Sequence, residues 1–123
     1  MASYRDLLVW RKAMDLAESA YSLAKLMPKV EQFRLTAQLL RAAVSVPANI
    51  AEGRARTSKR EFLNFLSIAS GSLAETETLL MLSVRTGLLA KDDVVPVFNN
   101  AEEVGRMLTA LKQALRKRAG VTP

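Results

Sequence analysis

Apolar residues recur along this chain at spacings of three and four, the repeat of a helix rather than the alternation of a strand. The pattern is interrupted at Pro28, at "GRARTS" (53–58) and at "GLLAKDD" (87–93). It therefore predicts four helices, over about 4–27, 29–53, 58–86 and 92–119. The first opens at Ser3 with Asp6 three residues on, a weak capping box. Trp10, Met14, Ala17, Tyr21 and Ala24 form one apolar stripe, and Val9, Leu16 and Leu23 a second beside it. Two stripes suit a helix that touches more than one neighbour, and Pro28 stops it. Thr36, Leu39, Leu40, Ala43, Val46 and Ile50 mark the buried face of the second helix. Ser58 and Glu61 form a better capping box for the third, which buries Phe62, Phe65, Leu66, Ala69, Leu73, Leu80 and Val84 and stops at Gly87. Asp92 and Asp93 suit the start of the fourth, with Pro96 expected in its first turn. Val94, Phe98, Ala101, Val104, Leu108, Leu111 and Leu115 form its stripe.

Long helices joined by short connections pack against antiparallel neighbours. The expected fold is all-α: an antiparallel up-down-up-down four-helix bundle, one domain over 1–123. Gly71 and Gly105 lie inside helices, where each costs about 1 kcal/mol against alanine. They are expected to mark a close backbone approach of helices three and four, and Gly53 to end helix two.

Among 123 residues there is no cysteine and no histidine. That excludes disulfides, thiolate chemistry, a Ser-His-Asp hydrolase and any metal site built on His or Cys. No Gly-rich phosphate loop or dinucleotide motif occurs. Glu75 and Glu77 are two apart and do not share a helix face, and nothing supplies Glu52, Glu75 or Glu77 with a partner base. No catalytic residue, metal or cofactor is assigned, and an enzyme is not expected. The start, "MASYRDLLVWRKAMD", has no apolar stretch suited to a signal peptide or membrane span. A cytoplasmic location without a membrane partner is expected.

The second helix carries an oddity, "RAAVSVPANIAEGRAR" (41–56). Pro47 inside a helix removes one backbone bond and leaves the carbonyl of Ala43 without its usual donor, so a kink is expected there. Gln38, Arg41, Ser45, Asn49 and Glu52 recur at spacings of three and four as a polar stripe. With the following turn centred near residue 56, Arg41 falls opposite Gly71 and within reach of Glu75. A structural polar seam between helices two and three is predicted.

The net charge of +6 and a pI near 10.1 suit a polyanionic partner. Two clusters carry the excess: Arg54, Arg56, Lys59 and Arg60 after the motif, and Arg106, Lys112, Arg116, Lys117 and Arg118 toward the C-terminus. An antiparallel bundle sets the loop between helices two and three at the same end as the C-terminus of helix four. Only seven residues are aromatic, and Trp10, Tyr21, Phe62 and Phe98 hold core-facing positions. Backbone-dominated, salt-dependent contact with RNA is therefore expected rather than sequence reading by stacking. The alternative is a protein-docking scaffold whose basic surface meets an acidic partner.

"VWRKAMDLAESAY", "PKVEQFRLTAQLLRAAVSVPANIAEG" and "FLSIASGSLAETETLL" together resemble the four-helix-bundle family of 23S rRNA intervening-sequence proteins. The likeness runs over about residues 4–116. Its most specific parts are R-x-x-x-S-x-P-x-N-I-A-E-G at Arg41 to Gly53 and G-S-x-x-E at Gly71 to Glu75. The accessory protein of diversity-generating retroelements looks related to the same family. The resemblance implies the antiparallel bundle and a homopentamer shaped as a barrel or ring with a central opening. It also implies genes that lie, in some bacteria, within insertions of large-subunit ribosomal RNA, and retroelement relatives that bind nucleic acid and a reverse transcriptase. Five copies at +6 each would carry a formal +30.

Overall fold

The structure, a computed structural model, describes residues 3–118. Its helices are α1 (Leu8–Ala24), α2 (Leu35–Arg54), α3 (Lys59–Arg85) and α4 (Lys91–Arg118). Short 3-10 turns at Tyr4–Asp6 and Lys29–Glu31 precede α1 and α2. No strand occurs among the described residues. Each helix packs on its neighbours in the chain, and α1 closes the ring against α4. This is the antiparallel four-helix bundle that the apolar periodicity predicts. Residues 1–2 and 119–123, part of the predicted domain and, at 119, of helix four, lie outside the described residues.

The punctuation works as local chemistry at several boundaries. The hydroxyl of Ser58 accepts from the Glu61 amide at 3.1 Å and donates to the Glu61 carboxylate at 3.2 Å, which caps α3. At the far end of α3, Gly87 adopts φ +76°. The Leu88 amide returns to the Ser83 carbonyl at 2.9 Å and the Gly87 amide to that of Val84 at 3.0 Å. That is a Schellman closure, and a left-handed residue is needed to make it.

Four expectations are corrected. Ser3 caps the 3-10 turn, accepting from the Arg5 amide, and α1 begins only at Leu8 because Leu7 leaves the helical region at ψ 121° and packs its side chain against the core. Helix one stops at Ala24 rather than 27, and helix two starts at Leu35 rather than 29, because Arg34 lies at φ −117°, ψ −111°. The Glu31 carboxylate there accepts from the Leu35 amide at 3.4 Å and the Arg34 guanidinium at 3.2 Å. On α1 the buried stripe is Val9, Ala13, Leu16, Ala17, Ala20 and Leu23. Met14 and Tyr21 lie outside it, Tyr21 being 53% exposed. Pro96 is the sixth residue of α4 and not part of its first turn, so the Asp92 carbonyl loses a helical donor there.

The glycines also change roles. α2 runs through Gly53 to Arg54 and continues unbroken through the buried Pro47. Gly53 is a packing residue: a methyl group there would stand 2.5 Å from Phe65 Cβ and 3.1 Å from Phe62 Cδ1. Gly71 faces open space, so no close backbone approach occurs at it, whereas a methyl at Gly105 would meet Leu73 Cδ2 at 3.3 Å.

Gly53→Ala should therefore cost about 1–3 kcal/mol, because an overpacked contact forces the helices apart. Gly71→Ala should instead stabilise by about 0.5–1 kcal/mol through helix propensity alone. Urea unfolding of the two variants reads the opposite signs.

Candidate nucleic-acid interface

The α2–α3 contact carries a seam of hydrogen bonds. Asn49 Nδ2 donates to both the carbonyl and the hydroxyl of Ser45, each at 2.8 Å. The Ser45 and Ser72 hydroxyls meet at 2.8 Å across the helix pair. Further along, Gln38 Nε2 donates to Glu75 Oε2 at 3.3 Å. Arg41 lies exposed on the same stripe and makes no ion pair with Glu75; Gln38 takes that carboxylate instead. Glu52 turns along its own chain to Arg56, at 3.5 Å. Five of the six predicted seam residues thus make polar contacts, and four of them make the seam itself.

The seam leads directly into the basic end. Gly53 lets α3 come close, and the short connection holds Arg54 and Arg56 against the first turns of α3. The Arg54 guanidinium lies 5.9 Å from the centroid of Phe62, and that of Arg56 4.9 Å from Phe65. Both are within cation–π range. Arg56 also pairs with Glu52 and, at 3.9 Å, with Glu61; all three side chains are about half exposed, so the pairs contribute little. Lys59 and Arg60 are exposed at the start of α3.

The C-terminal turns of α4 reach the same end. Leu111 and Leu115 line one cleft with Leu7, Phe62, Arg54 and the run from Arg56 to Lys59. Arg116 is half-buried and Lys117 exposed; the side chain of Arg118 lies outside the described residues. Two cations absent from the sequence reading join them. Arg5 lies over Tyr4 at 4.9 Å, and Arg11 donates to the Arg5 carbonyl at 3.3 Å. They were legible in principle, since the N-terminus of the first helix shares an end with the second connection in any up-down bundle.

The sequence matches the 23S rRNA-intervening sequence protein family over residues 5–110. The chain belongs to this family. It is also similar to a solved structure from Bacteroides thetaiotaomicron, a protein of unknown function from the S23 ribosomal protein family. The two share 28% identity with a TM-score of 0.80, covering 85% of this chain and 98% of that one. No curated protein matches the sequence. Among the described residues no helix is long and apolar enough to cross a membrane.

In this member of the intervening-sequence family, Lys112 stands apart from the other C-terminal cations. Its ammonium donates to Ser70 Oγ at 2.8 Å, within an open groove of about 600 Å³ between α3 and α4. Burial lowers its pKa from the ordinary lysine value, and Arg116 lowers it further. Glu77 and Glu102 line the same groove. Burial, and then the Glu102 carboxylate, raises Glu77 above the ordinary carboxylate value.

A carboxylate whose pKa is higher folded than unfolded opposes folding as pH rises from the unfolded value through the folded one. Glu77→Gln should therefore raise the melting temperature at pH 7 by about 1–3 °C. The gain should vanish once the pH falls below the ordinary carboxylate range. Thermal melts of both proteins across pH check the sign.

Proposed function

We propose that this chain is a non-enzymatic, self-assembling helical bundle that binds RNA or another nucleic acid through its basic end. The observation that carries the reading is the convergence of cations from three parts of the chain: Arg5 and Arg11, the group Arg54 to Arg60, and Arg116 with Lys117. Such a cluster attracts a phosphate backbone whatever its sequence. Two arginines of the cluster sit over phenylalanine rings, at 5.9 and 4.9 Å from their centroids, which restrains the guanidiniums that would hold phosphate. Membership of the 23S rRNA-intervening sequence family supports a nucleic-acid partner, and the absence of histidine and cysteine argues against catalysis.

Self-assembly is supported by apolar side chains that the single chain leaves uncovered. Met14 and Tyr21 lie seven residues apart on one side of α1, and Val44 is exposed on the α2 helix packed against it. The resemblance makes the expected assembly a homopentamer, which would gather five basic ends. The second reading is a protein-docking scaffold whose basic surface meets an acidic partner; at the opposite end of the bundle, Phe33 at 86% exposed and Val30 at 69% offer a protein an apolar contact as well.

Crosslinking in cells, with sequencing of bound RNA and a salt titration of what is enriched, decides between the readings. A defined RNA with a steep salt slope is expected; background RNA, where a control binder succeeds, favours the scaffold. Reversing Arg54, Arg56 and Arg60 to Glu should weaken binding to all sequences alike and flatten the log–log salt slope by about 2–3. Unchanged affinity in a folded triple variant would remove the site. Tyr21→Glu with Val44→Glu should reduce the particle measured by light scattering to a single chain of 13.5 kDa. A wild-type protein already of that mass overturns self-assembly.

A further inference from the structure

The basic end is not a uniform cationic surface. It surrounds a cleft of about 200 Å³ whose lining includes four apolar side chains, Leu7, Phe62, Leu111 and Leu115, with Arg54 and Lys59 also at it. The four come from three parts of the chain: the linker before α1, the first turn of α3 and the last turns of α4. A packed bundle end would ordinarily be closed by such side chains. Here they line a recess whose neighbours are cations.

The two halves of this recess ask for different chemistry. Arg54 and Lys59 attract an anion; Ser58 already takes the Glu61 and Phe62 amides, so only the amides of Lys59 and Arg60 at the start of α3 are left to favour phosphate. The apolar lining disfavours phosphate, which would lose its water there without compensation. A ligand that satisfies both must carry a flat apolar body one bond system away from a phosphate. At about 200 Å³ the recess lies below the volume usual for drug-sized ligands. It suits one ring system and not a base pair.

We propose that this cleft receives a single unpaired nucleobase of a bound strand, packed against the partly exposed Leu7 and Leu111 and the edges that the buried Phe62 and Leu115 leave open, while its phosphate lies between Arg54 and Lys59. The inference rests on the nucleic-acid reading above and makes it more specific. A base held in a duplex cannot reach such a pocket without leaving the stack, whereas loops, bulges and single strands offer one freely. The sequence, with its aromatic residues assigned to the core, predicts backbone-dominated contact. The cleft adds a contact to the base without adding a sequence code, because an apolar wall accepts any ring face.

The test measures fluorescence anisotropy at one low salt concentration with three probes: decauridylate, an abasic phosphodiester strand of equal length, and uridine monophosphate. Decauridylate should bind about ten-fold tighter than the abasic strand, the increment one stacked base supplies. Leu111→Trp fills the cleft from its wall, and Thr57→Trp fills it from the exposed connection, where folding is not at stake. In either variant decauridylate should fall to the affinity of the abasic strand. Equal binding of the two strands to the wild type, or an increment that survives both variants, overturns the cleft and leaves the nucleic-acid reading standing. Uridine monophosphate binding as tightly as decauridylate overturns the assignment to a strand. If neither strand binds, both readings fall.

Discussion

The closest constraint in this bundle is the crossing of α2 and α3 at Gly53. No side chain larger than hydrogen fits there, because Phe65 Cβ and the Phe62 ring occupy the space a methyl would need. Everything at the basic end follows from that approach. The connection between the helices is short because the helices are already near. Arg54 at the end of α2 and Arg56 in the connection find aromatic rings beneath them. Phe62, held in the first turn of α3, becomes part of the wall that Leu7, Leu111 and Leu115 complete.

The same pair of helices is fixed a second way, by hydroxyls and amides. Pro47 deprives Ala43 of a backbone donor, and one turn away Asn49 doubles the bonding at Ser45. Ser45 in turn meets Ser72. Apolar contacts tolerate sliding of one helix along another, but a hydroxyl pair at 2.8 Å does not. The seam therefore sets the axial position at which Gly53 meets the phenylalanines. The polar stripe and the glycine belong to one device.

Much of this was legible in sequence, for physical reasons that differ by residue. Ser58 with Glu61, and Gly87, are local signals whose chemistry is completed within a few residues, and the structure uses them where they stand. The polar stripe from Gln38 to Glu52 could be read because helical periodicity alone puts those residues on one side. Gly53 could not, since a glycine near a helix end reads as a stop and its packing role depends on Phe62 and Phe65 of the next helix. Tyr21 was misplaced for a related reason: two apolar stripes lie side by side on α1, and only the neighbouring helices decide which one is covered. The opening of α2 failed because the backbone breaks at Arg34 while the apolar repeat continues through it. The cleft had no sequence signature, because its walls come from three separate segments, around Leu7, Phe62 and Leu111.

The stacking of Arg54 on Phe62 and of Arg56 on Phe65 has an entropic consequence. A free arginine on a surface samples many rotamers, and a ligand that captures it must bear the loss of that freedom. Here a ring beneath each guanidinium narrows the choice during folding, before any partner arrives. An anion reaching this end meets charges already arrayed, so more of the attraction survives as affinity.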